Sequence, residues 1–373
     1  MAKGLRFLHT ADWQLGLKLA FVPGDAGAVA RFQRFEVVER IASVAKARNV
    51  DAVVVAGDVL DDNAIGEDSL QRARDAMKPF APIPVLLLPG NHDAATPDCA
   101  LRRLRAGDHV HALLDDAPFV LPHARFHPCP LRQRHDRDDP TRALPRREAT
   151  DPILVAVAHG ALIDFTDGLE SKNLIDWRAI LAKGYDYLAL GDWHGMTRID
   201  DRTWYSGTPE PDRFEVNTGH VLLVEVSPNA VPIVTSLQSG RFSWHMETAT
   251  VNSAVDVNAL ETQIRGLDPD LSRVLVDLRV SGTLDMSARE QFEQTITTGL
   301  GSALRALRLD VSELYLKPTT EELEAIDHIG FVRVAADQLA ALAGDVANPE
   351  REIAAEALQR LYVLHIRHMA AIQ

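Results

Sequence analysis

The chain has 373 residues, 46% of them hydrophobic and 25% charged, with 53 acidic against 39 basic side chains and a net charge of −14. That composition excludes a disordered or fibrous chain, and the length predicts two or three domains of about 100–200 residues each. So acidic a chain is not a generic nucleic-acid binder: phosphate chemistry would have to be local, with metal ions bridging phosphate and carboxylates.

Along the first ninety residues, LRFLHTA (5–11), DAVVVAG (51–57) and IPVLLLP (83–89) read as strands. Helices are predicted between them, one through Val29, Phe32, Val37, Ile41 and Val44 and one near 67–80. Apolar runs without alternation suit strands covered on both faces. Residues 122–149, rich in Pro, Arg and His, read as a long loop. Strand-like runs resume at 153–158, 187–190, 203–206 and 220–226, and their short connections predict a second, more antiparallel sheet stacked on the first. Beyond residue 250 a helix near 256–265, a strand at 272–280, a helix near 286–307 and a strand at 313–317 predict a small αβαβ domain. The tail, 349–371, carries an apolar stripe through Ile353, Leu358, Leu361, Leu364 and Met369 and reads as a long amphipathic helix.

No run approaches the ~18–20 apolar residues of a membrane span. The opening MAKGLRFLHTADW lacks a signal peptide's apolar core, so a cytoplasmic protein with no membrane partner is expected. Two cysteines, Cys99 and Cys129, make neither a disulfide framework nor a thiolate zinc site.

Five polar clusters each follow a predicted strand: Asp12-Trp13-Gln14, Gly57-Asp58-Val59-Leu60-Asp61, Gly90-Asn91-His92-Asp93, His159-Gly160 and Gly191-Asp192-Trp193-His194. Singly, a strand-end Asp is a turn former and a lone His a structural residue. Together they offer oxygen and imidazole donors where α/β folds place their ligands. Two divalent cations ~3.5–4 Å apart need a bridging carboxylate and several further donors, and Asp58 is the natural bridge.

The order of these clusters resembles the calcineurin-like metallophosphoesterases, whose pattern is DxH, GDxxD, GNHD, a later His, and GHxH. FLHTADWQLG and YSGTPEPDRF (205–214) are similar to segments of the SbcD-like DNA repair exonuclease branch. The resemblance implies a four-layer αββα sandwich over residues 1–250, a small α/β capping domain over 251–333 and a C-terminal helical segment, 334–373, able to dock on a partner. It implies one metal held by Asp12, Asp58, His194 and position 14, and a second held by Asp58, Asn91, His159 and position 192. His92 would be the general acid, with Asp93 fixing its orientation. The implied partners are DNA, an SMC-like coiled-coil ATPase and a second copy of the chain; no GxxxxGK[ST] occurs, so ATP dependence would come from the partner.

Two positions depart from the family. Gln14 stands where the pattern has His, and Asp192 where it has the first His of GHxH. The oxygen-rich set that results favours two ions of Mn²⁺, or Mg²⁺, over zinc. Asp61 reads as a turn residue or a group supporting the ligands, and Trp13 and Trp193 could line the site, though such aromatics are more often packing. The arginines at 125, 132, 134, 137, 142, 146 and 147, with Arg102, Arg103 and Arg105, read either as a DNA-facing surface or as a solvated mixed-charge loop. His109 and His111 have no motif context. The function expected is a two-metal DNA phosphodiesterase of DNA repair. Its competitors are a phosphodiesterase or phosphatase for small phosphoesters, and a catalytically weakened scaffold subunit of an ATPase–nuclease complex.

Overall fold

The computed structural model describes residues 4–22, 24–163, 172–228, 230–317, 331–345 and 347–372. It divides into two compact units, 1–244 and 245–373.

The first unit contains β1 (Leu5–Thr10), β2 (Ala52–Ala56), β3 (Val85–Leu88), β4 (Val110–Ala112), β5 (Phe119–Leu121), β6 (Ala124–Cys129) and β7 (Ile153–His159). These are followed by the short pair β8 (Ala161–Leu162) and β9 (Leu174–Ile175), then β10 (Tyr187–Gly191), β11 (Thr197–Arg198), β12 (Thr203–Tyr205), β13 (His220–Val226) and β14 (Ile233–Gln238). Two six-stranded sheets result, in the orders β14-β13-β1-β2-β3-β4 and β11-β12-β10-β7-β6-β5.

Strand alternation explains the layers. Phe7, Val54, Leu86 and Leu88 of the first sheet meet Phe126, Val155, Val157 and Tyr187 of the second in a central core. There the Phe7 ring sits edge-on to Phe126 at 5.5 Å and to Tyr187 at 5.6 Å. The alternate residues Leu8, Val53, Val55 and Leu87 face Val38, Ile41 and Ala42 of helix Gly24–Ala47 and Leu70, Ala73 and Met77 of helix Glu67–Met77. On the far side Leu154, Ala156, Leu188 and Leu190 pack with Ile180 of helix Trp177–Ala182. Both faces of both sheets are covered, which is why the strands read as unbroken apolar runs. The architecture is the αββα sandwich.

Three local expectations are corrected. The second sheet is no more antiparallel than the first: β6-β7, β7-β10 and β10-β12 are parallel, and only the edge pairs β5-β6 and β11-β12 are antiparallel. The run at 220–226 belongs to the first sheet, antiparallel to β1 with Phe7 opposite Val224. The stretch 122–149 is a loop only from Pro130 on, because ARFHPC is β6, buried from Phe126 to Cys129. Its proline and histidine hide a strand, since Pro128 has no N–H to give the ladder and a proline ordinarily argues against an interior strand.

The second unit holds the three-stranded sheet β15-β16-β17, with β15 (Ser243–Val251), β16 (Val274–Leu284) and β17 (Ala306–Leu316), β16 and β17 being parallel. Its core joins Val276, Leu278 and Val280 to Leu260 and Ile264 of helix Ala254–Arg265 and to Phe292, Ile296 and Leu300 of the helical stretch 286–303. Ser253 and Asp285 cap these helices by accepting from Asp256 N and Ala288 N. Helices Phe331–Gly344 and Arg351–Ile372 follow. The break between the units, after Trp244, falls within β15, whose ladder partner is β16. Among the described residues no helix is long and apolar enough to cross a membrane.

Candidate metal centre

The five polar clusters converge at the carboxyl ends of parallel strands from both sheets. Asp12 follows β1, Asp58 follows β2 and Asn91 and His92 follow β3; His159 ends β7, and Asp192 follows β10. The first two loops are joined backbone to backbone: Asp12 N donates to Gly57 O (3.0 Å), Gln14 N to Asp58 O (2.8 Å) and Leu15 N to Val59 O (2.9 Å). Asp12, Gln14, Asp58 and Asp192 all hold left-handed backbone, with φ of 53°, 43°, 51° and 99°. Such conformations cluster where surrounding structure over-determines them, often at functional sites. Two glycines give the clearance. A Cβ on Gly57, itself at φ +98°, would lie 2.0 Å from His159 Nδ1, and one on Gly90 2.1 Å from Asp58 Oδ1.

His159 is the hub. Its Nδ1 donates to Ala56 O at 3.0 Å, so Nε2 faces the site. Around Nε2 lie Asn91 Oδ1 at 2.8 Å, Asp58 Oδ1 at 3.5 Å and Asp192 Oδ1 at 3.6 Å. Donor atoms of Asp12, Asp58 and His159 lie within 4.8 Å of one another, and all three residues are buried. Asp192 N donates to Asp12 Oδ1 at 3.2 Å, tying the two sheets' loops together. Gln14 and His194 meet side by side, Nε2 to Nε2 at 3.5 Å.

The His92 ring is oriented differently from the expectation. Asp93 does not reach it: that carboxylate is fully buried and accepts from Gly90 N (2.7 Å) and Leu60 N (3.0 Å), clamping the loops after β2 and β3. The ring is held instead by the main chain of Asp61, whose carbonyl accepts from Nδ1 at 2.8 Å, while His92 N donates to Asp58 Oδ1 at 2.9 Å. Among the described residues its Nε2 makes no hydrogen bond and lies 3.9 Å from Asp58 Oδ2. Trp13 is buried packing, bonded to Thr10 Oγ1 and stacked on Phe80, whereas Trp193 is 47% exposed.

Sequence reasoning missed a supporting group. Arg34, on helix Gly24–Ala47 and 1% exposed, donates to the carbonyls of Trp13 (2.9 Å), Asp12 (3.0 Å) and Glu210 (3.1 Å). Its guanidinium also lies 3.8 Å from Asp212, whose other oxygen takes His194 Nδ1 at 3.2 Å. Thr208 and Glu210, from the same YSGTPEPDRF segment, are buried too; Glu210 accepts from Arg241 N, Phe242 N and Arg40. The one available signal was an arginine at a core-facing position of an apolar helix stripe.

Electrostatics fit a cation site. Burial pushes Asp12 up to about 7 despite the nearby His159 and His194. Burial opposes charge on His159, but Asp58, Asp12 and Asp192 outweigh it and raise the ring to about 9. Burial likewise opposes charge on His194, and Asp212 raises it to about 9. Protons thus supply positive charge beside three carboxylates. The donors themselves fit a divalent ion: oxygen atoms of carboxylates and an amide, plus an imidazole whose remote nitrogen is fixed on a carbonyl, as ligating histidines are.

Three curated proteins are similar to this chain. SbcD of the SbcCD nuclease of Bacillus subtilis (strain 168) is 30% identical over 92 residues, 24% of this chain and 22% of its own length. DNA double-strand break repair protein Mre11 of Haloferax volcanii is 29% identical over 304 residues, 77% of this chain and 64% of its own length. SbcD of the SbcCD nuclease of Rhodobacter capsulatus is 29% identical over 288 residues, 61% of this chain and 68% of its own length. The chain thus spans less than two thirds of the length of the first two. The family model for calcineurin-like phosphoesterases matches residues 5–223, more than half of the chain and every strand that carries the site. The chain belongs to the calcineurin-like phosphoesterase family, hydrolases that use divalent metals.

Proposed function

We propose that this chain is a two-metal-dependent DNA phosphodiesterase of DNA repair that works with an SMC-like coiled-coil ATPase as a homodimer in the cytoplasm. The observation that carries the reading is the meeting of Asn91, Asp58 and Asp192 around His159 Nε2, beside a His92 whose Nδ1 is fixed on Asp61 O and whose Nε2 lies 3.9 Å from Asp58 Oδ2. Likeness to two SbcCD nuclease proteins and one named as a double-strand break repair protein supports DNA as the substrate.

Asp12, Asp58, Gln14 and His194 are the proposed holders of one ion, and Asp58, Asn91, His159 and Asp192 of the other, with Mn²⁺ the best match to so oxygen-rich a set and Mg²⁺ the next. When bound, the ions neutralise phosphate charge and polarise the phosphoryl group. The protein's part is positional. Asp61 O fixes His92 Nδ1, leaving Nε2 to carry the proton to the leaving oxygen, and Asp212 and Ala56 O fix the remote nitrogens of His194 and His159. In the second unit, residues 251–333 are proposed as a cap presenting DNA and 334–373 as the ATPase-docking segment.

The test is nucleotide release from linear DNA with added Mn²⁺, comparing the chain with His92→Ala. Wild-type cleavage with a loss of roughly 10²-fold or more in the variant is expected. No cleavage by either, even with the ATPase present, would sink the reading.

A further inference from the structure

The arginine-rich stretch left open by the sequence has a definite place beside the site. Seven arginines stand against three aspartates between residues 125 and 147, in a chain whose net charge is −14. The loop begins at the metal-site rim: Leu131 O accepts from Ala95 N at 2.8 Å, just past the Asn91–Asp93 cluster. It is then pinned to Asn173, whose Oδ1 accepts from Asp136 N at 2.7 Å and whose Nδ2 donates to Arg134 O at 3.2 Å. Asn173 is itself buried, and its carbonyl sits where a Cβ on Gly160, the neighbour of His159, would fall. The loop therefore bridges two of the metal motifs.

Two of its three aspartates are engaged by backbone and hydroxyl donors. Asp136 accepts from Arg132 N, and Asp139 from Thr141 N, Thr141 Oγ1 and Asp176 N. Lys183 holds the carbonyls of Thr141 and Arg142. Of the arginines, Arg125 pairs with Asp151, Arg132 with Asp116 and Arg147 with Asp186. Arg134, Arg137, Arg142 and Arg146 are exposed, and none has an acidic side chain within 4.0 Å among the described residues. A solvated mixed-charge loop has no need of so many pins. A rigid strip of cations leading away from a phosphodiesterase centre does have a use.

We infer that residues 131–146 form a phosphate-backbone rail, with Arg134 and Arg137 at the stretch pinned to Asn173 and Arg142 and Arg146 farther along the loop, holding the DNA strand beside the scissile bond. The inference rests on the nuclease reading and names which surface grips the polymer. It accounts for how so acidic a protein engages a polyanion: the attraction is confined to one loop.

The experiment measures duplex DNA binding across a salt series in the His92→Ala background with Mn²⁺, with and without Arg134→Ala/Arg137→Ala. Each lost phosphate contact lowers the log–log salt slope by about 0.9, so the double variant should lose about 2 from the slope. In the His92-intact chain the same variant should raise KM for DNA while leaving hydrolysis of a small phosphodiester, bis(p-nitrophenyl) phosphate, unchanged. An unchanged slope in a chain that binds and cuts DNA overturns the rail alone. Parallel loss of small-ester hydrolysis also overturns it, since the arginines would then be supporting the site. A wild-type chain that hydrolyses the small ester but neither binds nor cuts DNA overturns the nuclease reading and the rail with it.

Discussion

Replacing Arg34 by Met tests the support of the site most sharply. Methionine fills much of the arginine's volume but donates nothing. Trp13 O loses its partner at 2.9 Å, and an unsatisfied buried carbonyl costs about 1–3 kcal/mol. The carbonyls of Asp12 and Glu210 are partly protected, because Thr208 Oγ1 lies 3.0 and 2.9 Å from them. Asp212, 1% exposed, loses the cation at 3.8 Å, and removing one member of a buried pair costs about 3–5 kcal/mol. These terms overlap, so the expected loss is about 3–5 kcal/mol, read from denaturant unfolding of the metal-free protein. Arg34→Lys, which keeps the charge but not the fork of donors, should fall between the two. A loss below about 1 kcal/mol for Arg34→Met would refute the assignment of Arg34 as the clamp on the Asp12 and Glu210 loops.

Binding of Mn²⁺ at pH 7 should release at least two protons, since His159 and His194 are held near 9 and Asp12 near 7, and all must give up protons to become ligands; calorimetry in buffers of different ionisation enthalpy measures this, and buffer-independent heats would contradict it. The same raised values mean that the metal-free protein gains stability from both rings below about 6.5 and loses it as pH rises towards 9; a flat pH–stability profile over that window would count against it. Gly57→Ala combines a left-handed φ with a Cβ 2.0 Å from His159 Nδ1, so it should cost at least ~1–2 kcal/mol and lower metal affinity; unchanged affinity would show the imidazole is not fixed there. Asp212→Asn should lower the affinity for the first ion by about 10–100-fold by weakening the orientation of His194, measured by metal titration; an unaltered titration would remove Asp212 from the site's support.

Much of this arrangement was legible because each donor follows an apolar run, and period-two burial on both faces leaves such runs little choice but a covered sheet. Asp12, Asp58, Asn91, His159 and Asp192 needed only their strand ends to be located. What was hidden depended on contacts distant in sequence. Asp212 and Arg34 lie far apart in the chain and come together only through the packing of helix Gly24–Ala47 on the site loops. His92 is oriented by a backbone carbonyl, which any residue at position 61 would present, so no side-chain pattern could reveal it. Strand β6 was obscured by Pro128, and the membership of β13 in the first sheet depends on a pairing that local patterns do not encode.

The donors are divided between the two sheets: Asp12, Asp58 and Asn91 hang from one, His159 and Asp192 from the other. Any ion they share is therefore a rivet through the open edge of the sandwich. By mass action, a cation at a hundred times its Kd adds about 2.7 kcal/mol to the folded state, through donors that belong to both sheets. Cation supply would then couple the two sheets as well as support the chemistry, and amide exchange at the ends of β1, β2, β7 and β10 should slow together as the ion is added.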